Sequence, residues 1–188
     1  MNESFRQTNG FAMQYGVVLG LWYVLCSAVY VVSLVNQFFS SLYLVMFLLT
    51  PFLVGLLAVR FRSRVSVGED FLFMRGFSFT LLMLLYACIW QALAVYVYMT
   101  YFDGGYIFDC FLASLQKPEV VAELERSGMM AQINEMTDGG GVEAFVDAIR
   151  MIPPATFTAV VIYLNFIIAP ILSILIALVV KKKNKKLV

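Results

Sequence analysis

The chain contains no charged residue between Arg6 and Arg60, a run that reads QTNGFAMQYGVVLGLWYVLCSAVYVVSLVNQFFSSLYLVMFLLTPFLVGLLAV. A charge near the centre of a lipid bilayer costs about 2.5–3.5 kcal/mol, so long uncharged apolar runs mark membrane-spanning helices. A single helix over this run would be about 80 Å long, whereas the hydrocarbon core is only about 30 Å thick. The run therefore has to fold back once, and its central polar residues, 36–41, are the expected turn. This predicts span one at residues 11–35 and span two at residues 42–59.

Two further charge-free runs complete a pattern of four spans. The first predicts span three at residues 76–101, and the second predicts span four at residues 155–180, opened by a pair of prolines. Pro51 and Pro170 lie inside spans two and four. Membrane helices tolerate such prolines, either as static packing kinks or as hinges. The sequence therefore predicts an all-α, four-helix transmembrane bundle.

The composition agrees with a membrane protein and narrows its chemistry. Of 188 residues, 62% are hydrophobic and 13% are charged, about half the charged share of a soluble domain. The net charge of +1 gives no basic excess for nucleic acid. The chain has no His, the commonest general base and metal ligand, and its three Cys form no metal-binding pattern. We expect no metal, no cofactor, no nucleic-acid partner and no enzymatic activity.

Basic residues near the span ends predict the orientation, because cytoplasmic loops carry an excess of Lys and Arg. The segment between spans two and three, residues 60–75, contains four arginines, and the tail after span four contains five lysines. The hairpin between spans one and two contains no base, and residues 103–152 contain three bases against nine acids. Both termini and the arginine segment are therefore predicted in the cytoplasm of a bacterium, and the protein in its inner membrane.

Residues 103–152, called the cap below, are the only long polar block between spans. Their apolar residues recur at helical spacing, which predicts several short amphipathic helices in a small extracytoplasmic cap. Each helix is too small to bury its own apolar side. The methionines Met129, Met130 and Met136 either fill this irregular cap or form an adaptable binding surface. Cys110 is either free or paired with another chain.

Two sets of residues inside the spans predict helix contacts. Ala12, Gly16 and Gly20 have the small-residue spacing that lets two helices approach closely, within the chain or between two chains. Gln91 and Asn165 are polar residues in spans three and four, and a hydrogen bond between them would contribute about 1 kcal/mol. Contact with a substrate is the alternative role for these two side chains.

The arginine segment is the densest polar cluster of the sequence. Arg60, Arg62 and Arg64 alternate, and Arg75 follows at the start of span three. Guanidinium groups at this depth either anchor the orientation of the protein or bind lipid phosphates. Glu69 and Asp70 either cap the following helix or, less favourably, form a catalytic pair.

Several short motifs resemble a known family. They are Met13-Gln14-Tyr15-Gly16, the segment VSVGEDF at 65–71 with RGF at 75–77, and Asn165 followed by SILIAL at 173–178 before the lysine tail. This pattern resembles the bacterial membrane family called domain of unknown function 4199, found mostly in Bacteroidetes. The resemblance implies four membrane spans, and the family has no established activity, so it supplies no site residues.

These observations lead to two expectations about function. The first is a non-catalytic accessory or scaffold subunit of a membrane assembly, with a membrane-protein partner or a second copy of the chain. The second is the binding or transport of a phosphorylated lipid, either an isoprenoid or a phospholipid.

Overall fold

The computed structural model describes residues 3–65 and 71–181, and all regular elements in these ranges are α-helices. Four of the helices are long: α1 Glu3–Ser33, α2 Gln37–Val65, α3 Phe73–Tyr101 and α8 Pro154–Val180. Four are short and lie between α3 and α8: α4 Tyr106–Leu115, α5 Pro118–Arg126, α6 Met129–Met136 and α7 Gly141–Arg150. The four long helices are long and apolar enough to cross a membrane, which is the signature of a multi-pass membrane protein.

The turn between α1 and α2 is shorter than the polar cluster at 36–41. The Asn36 side-chain oxygen accepts a hydrogen bond from the Phe38 backbone N–H at 3.0 Å, so α2 begins immediately after it. Ser40 lies in the first turn of α2 and donates to the Ser33 carbonyl at 2.8 Å. The Ser40 hydroxyl thus supplies a hydrogen-bond donor to a carbonyl at the end of α1. Because its own polar group is paired in this way, Ser40 can lie inside α2.

The segment at 60–75 is partly helical. Helix α2 continues through Val65, and α3 begins at Phe73. Arginine has a high helix propensity, and its long side chain carries the charge away from the helix axis, so a helix need not end where the charges begin. Glu69, Asp70 and the lysines at 182–186 lie outside the described residues.

Helix α3 is the centre of the bundle. It packs along α1 on one side and along α8 on the other, and α2 packs mainly against α1. We call the end of the bundle that carries Arg6, Arg60 and Arg75 the arginine end, and the opposite end the cap end. No residue of α1 after Gly20, of α3 after Ala92 or of α8 before Ala169 is buried. The tightly packed core therefore occupies the arginine end and the middle of the bundle.

The cap lies at the other end, where α3 leads into α4. Asp103 is buried, and its carboxylate accepts hydrogen bonds from the backbone N–H groups of Gly105 and Ile107, both at 3.1 Å. A carboxylate at the start of a helix is favoured by the helix dipole and by the unpaired N–H groups there. An ion pair of 2.7 Å between Arg150 and Asp109 then ties α7 to α4.

Candidate functional site at the arginine end

Arg75, in the first turn of α3, contacts side chains of both α1 and α2. Its Nη2 donates a hydrogen bond of 2.6 Å to the Gln7 side-chain oxygen on α1. Its guanidinium carbon lies 5.9 Å from the centroid of the Phe61 ring, a cation–π distance. The Nε of Arg75 is buried and has no hydrogen-bond partner among the described residues. The side chain is thus oriented from α1 and α2 and keeps unused donor capacity.

Arg75 lines an open cleft of about 680 Å³ at the ends of α1, α2 and α3. The other lining residues in the described part of the chain are Glu3, Ser4, Arg6, Gln7 and Val65. Arg6 and Arg75 each border a charge-free run of the sequence. The cleft therefore lies where the uncharged apolar parts of α1 and α3 end.

The remaining arginines have separate surroundings. Arg62 donates to the Val180 carbonyl at 3.1 Å, where α8 ends, and a cation at a helix C-terminus is favourable. The Arg64 guanidinium lies 5.8 Å from the centroid of the Tyr15 ring, and Arg60 is exposed. In a helix, alternate residues point about 200° apart, given about 3.6 residues per turn. The structure therefore places Arg62 on a different face of α2 from Arg60 and Arg64, which lie four residues apart.

The small residues of α1 pack against α3 of the same chain. Ala12 is fully buried, and a Cβ built on Gly16 would lie 2.5 Å from the Cβ of Tyr86. A Cβ on Gly20 would lie 2.6 Å from Cδ1 of Trp90. These distances are shorter than the non-bonded contacts that Cβ atoms make in real proteins. In the single chain these small residues lie at the contact of α1 with α3, and a contact between two chains stays a prediction for the same residues.

Gln91 and Asn165 lie opposite each other on α3 and α8. The Asn165 Nδ2 lies 3.3 Å from the Gln91 Oε1, and the same group also donates to the Val161 carbonyl at 3.0 Å. The Asn165 amide thus donates a hydrogen bond to its own helix, α8, and one to the neighbouring helix α3. The geometry assigns the pair a contact between helices.

Comparison with known protein families identifies the family of this chain. The sequence model of a family described as "Protein of unknown function (DUF4199)" matches residues 11–182. The chain belongs to this DUF4199 family. No curated protein and no solved structure matches it. In residues 3–65 and 71–181 of this DUF4199 chain, no group of three His, Cys, Asp or Glu residues comes together that could hold a metal ion.

Several polar contacts of the DUF4199 bundle have no signal in the sequence. Trp22 Nε1 on α1 donates to the Thr50 hydroxyl on α2 at 3.1 Å, and that hydroxyl donates to the Met46 carbonyl at 3.0 Å. The Tyr86 hydroxyl on α3 donates to the Asn9 side chain on α1 at 2.8 Å. Asn9 and Gln7 precede predicted span one, so the hydropathy pattern placed them outside the bundle. Aromatic and hydroxyl side chains fit many positions in a membrane helix, so Trp22 and Thr50 carried no pairing information.

Replacing Asn165 by Leu should lower the free energy of unfolding of this DUF4199 protein by about 1 kcal/mol. The same substitution in a Gln91→Leu background should cost less, with a coupling energy of about 0.6 kcal/mol. The coupling is small because the amide retains its bond to Val161 when Gln91 is absent. Unfolding in mixed micelles of the wild type, both single variants and the double variant measures it. Strict additivity of the two substitutions would show that the hydrogen bond contributes nothing.

Proposed function

We propose that the protein is a non-catalytic accessory subunit of an assembly in a bacterial inner membrane. In this proposal the two termini and the arginine end face the cytoplasm and the cap lies outside. The distribution of Lys and Arg along the chain supports this orientation. The observation that carries the proposal is an apolar stripe on helix α6 of the cap.

The stripe consists of Met129 and Met136, which lie seven residues apart and so share one face of α6. Their exposed fractions are 48% and 73%, and no residue of α6 is buried. Met130 and Ile133 are half-buried, so the helix already uses its other apolar residues inside the cap. Flexible methionine side chains suit docking surfaces that must fit a partner closely.

The charge around this stripe defines the chemistry of the partner. Apart from Asp103, all acids of the cap are exposed. Two of the three bases of the cap, Arg126 and Arg150, form ion pairs with Glu123 and Asp109 inside the cap. The free surface is therefore acidic, which disfavours docking on anionic lipid. The fitting partner is an extracytoplasmic segment of another membrane protein with apolar residues flanked by Lys or Arg.

A photo-crosslinking amino acid at position 129 or 136 should join the protein to such a basic segment in intact cells. The matched control is the same amino acid at Glu119, an exposed position at the start of α5, which should give about tenfold less product. Mass spectrometry of the crosslinked peptide identifies the segment. High salt should reduce the yield, because the attraction between opposite charges is screened.

Three outcomes would contradict the accessory role. They are crosslinks from both α6 positions to lipid, crosslinks to a second copy of the chain, and equal yields at positions 119 and 129. A membrane-impermeant reagent that reached position 129 only from the cytoplasmic side would overturn the proposed orientation.

A second candidate function is the binding of a phosphorylated lipid. The cleft at the arginine end favours it, because Arg6 and Arg75 both line this cleft at headgroup depth. The two functions use opposite ends of the bundle, so each can be tested without disturbing the other.

A further inference from the structure

We propose that the cleft at the ends of α1, α2 and α3 is a binding site for the phosphodiester of a membrane phospholipid. The site consists of Ser4, Arg6, Gln7 and Arg75. The inference deepens the second candidate function and rests on it. It also moves the candidate site away from Arg60, Arg62 and Arg64, which the sequence pattern favours.

The orientation of Arg75 is the first argument. A guanidinium group has five N–H donors in a fixed plane and binds phosphate through two parallel hydrogen bonds. Gln7 accepts one bond from Arg75, and the ring of Phe61 supports the guanidinium from the core side. Phe61 is itself fully buried, so this support is rigid. An arginine that is already oriented loses little conformational entropy when an anion binds.

The buried Nε of Arg75 is the second argument. A buried donor without a partner costs free energy, and the great majority of such groups in native proteins are hydrogen-bonded. Among the described residues none accepts from this Nε. To accept a hydrogen bond from this Nε, a phosphate oxygen in the adjoining cleft would have to draw the guanidinium slightly out of its buried position.

The depth and charge of the cleft define the class of ligand. The lining of the described residues carries two guanidinium groups, of Arg6 and Arg75, and one carboxylate, of Glu3. This lining matches one negative charge. A phosphodiester headgroup such as phosphatidylglycerol carries one negative charge, whereas a phosphomonoester carries ≈ −1.5 to −2 at neutral pH. Acyl chains attached to the diester would extend along the apolar parts of α1 and α3.

The test is a lipid titration by native mass spectrometry of the full-length protein in detergent. Phosphatidylglycerol should bind about tenfold more weakly to Arg75→Ala than to wild type. Arg75→Lys should also bind weakly, because an ammonium group retains the charge without the planar pair of donors. Arg60→Ala is the matched control, since it removes an exposed arginine at the same end of the bundle, and its affinity should be unchanged.

Arg6→Ala provides a variant that leaves the packed core intact, because Arg6 is an exposed residue of the cleft. It should weaken phosphatidylglycerol binding with an unchanged unfolding transition. This result would separate loss of the site from loss of the fold in Arg75→Ala. Unchanged affinity of both Arg6→Ala and Arg75→Ala would overturn the site, and a second, independent measurement of total retained lipid would show whether the protein still binds lipid elsewhere.

Further arms distinguish the sources of the phosphate. Inorganic phosphate at millimolar concentration should not displace phosphatidylglycerol, because it lacks the acyl chains. Displacement would assign the cleft to a free anion and overturn the lipid ligand. Phosphatidic acid, a monoester, should bind no better than phosphatidylglycerol, and tighter binding would contradict the preference for a single charge. An equal loss of affinity in Arg60→Ala and Arg75→Ala would show that the lipid is held only by general electrostatic attraction, and this result would overturn the site.

Discussion

Gly16→Ala should destabilise the purified protein by about 3 kcal/mol, in the upper part of the usual range for overpacking. The added Cβ would lie 2.5 Å from the Cβ of Tyr86 and 3.2 Å from the Met83 carbonyl oxygen. Neither atom can rotate away, since one is attached directly to the backbone of α3 and the other belongs to it. Helices α1 and α3 would have to separate, which would also stretch the hydrogen bond between Tyr86 and Asn9. Unfolding by denaturing detergent, followed by Trp fluorescence, measures the change.

Gly10→Ala is the matched control on the same helix. No atom lies within 4 Å of a Cβ built on Gly10, and the residue is exposed. Alanine is favoured over glycine in a helix by about 1 kcal/mol, so this variant should be as stable as wild type or more stable. Equal stability of the two alanine variants would contradict the close approach of α1 and α3 at Gly16. A change of oligomeric state at unchanged stability would instead assign the small residues of α1 to a contact between two chains.

The sequence is most informative about which segments cross the membrane, because ionised side chains are rejected by hydrocarbon at every position. Positions within a span are harder, since lipid and protein interior are both apolar. Phe52 and Phe61 illustrate this difficulty on one helix. The first is 70% exposed and the second is fully buried, although the second lies between two arginines and the first lies in an uncharged run. The burial of Phe61 follows from its contacts with Phe11 of α1 and Phe79 of α3, which the sequence does not show.

The candidate site could be predicted in part, because charged residues mark the ends of the apolar runs. Arg75 is identified by the end of a charge-free run, and its role as a phosphate contact stays a prediction. Gln7 was not identified, because it precedes predicted span one and its partner lies on another helix. The alternating arginines appeared as one cluster because the segment was taken as a loop. Once α2 continues to Val65, helical geometry places Arg62 on a different face from Arg60 and Arg64.

Phe61→Ala should destabilise the protein by about 3 kcal/mol, at the low end for a buried Phe in water-soluble proteins. The low end applies because the exposed state of a membrane helix is already apolar, which leaves mainly the cavity and the lost packing. The Phe61 ring stacks on Phe79 with centroids 4.0 Å apart and contacts Phe11 and Phe71 at 5.6 and 5.9 Å. Its removal opens the packed core at the end of the bundle where α2 joins the other helices. Unfolding in mixed micelles measures the loss.

Phe52→Ala tests the argument with the same change on the lipid-facing side of α2, and it should alter stability by less than about 0.5 kcal/mol. Phe61→Leu should retain most of the stability, since it keeps much of the volume, while the Arg75 guanidinium loses the ring below it. If Arg75 depends on that ring for its orientation, Phe61→Leu should weaken phosphatidylglycerol binding at nearly unchanged stability. Equal costs for Phe52→Ala and Phe61→Ala would mean that the arginine end has no specifically packed core. The rigidity on which the Arg75 site depends would then be absent as well.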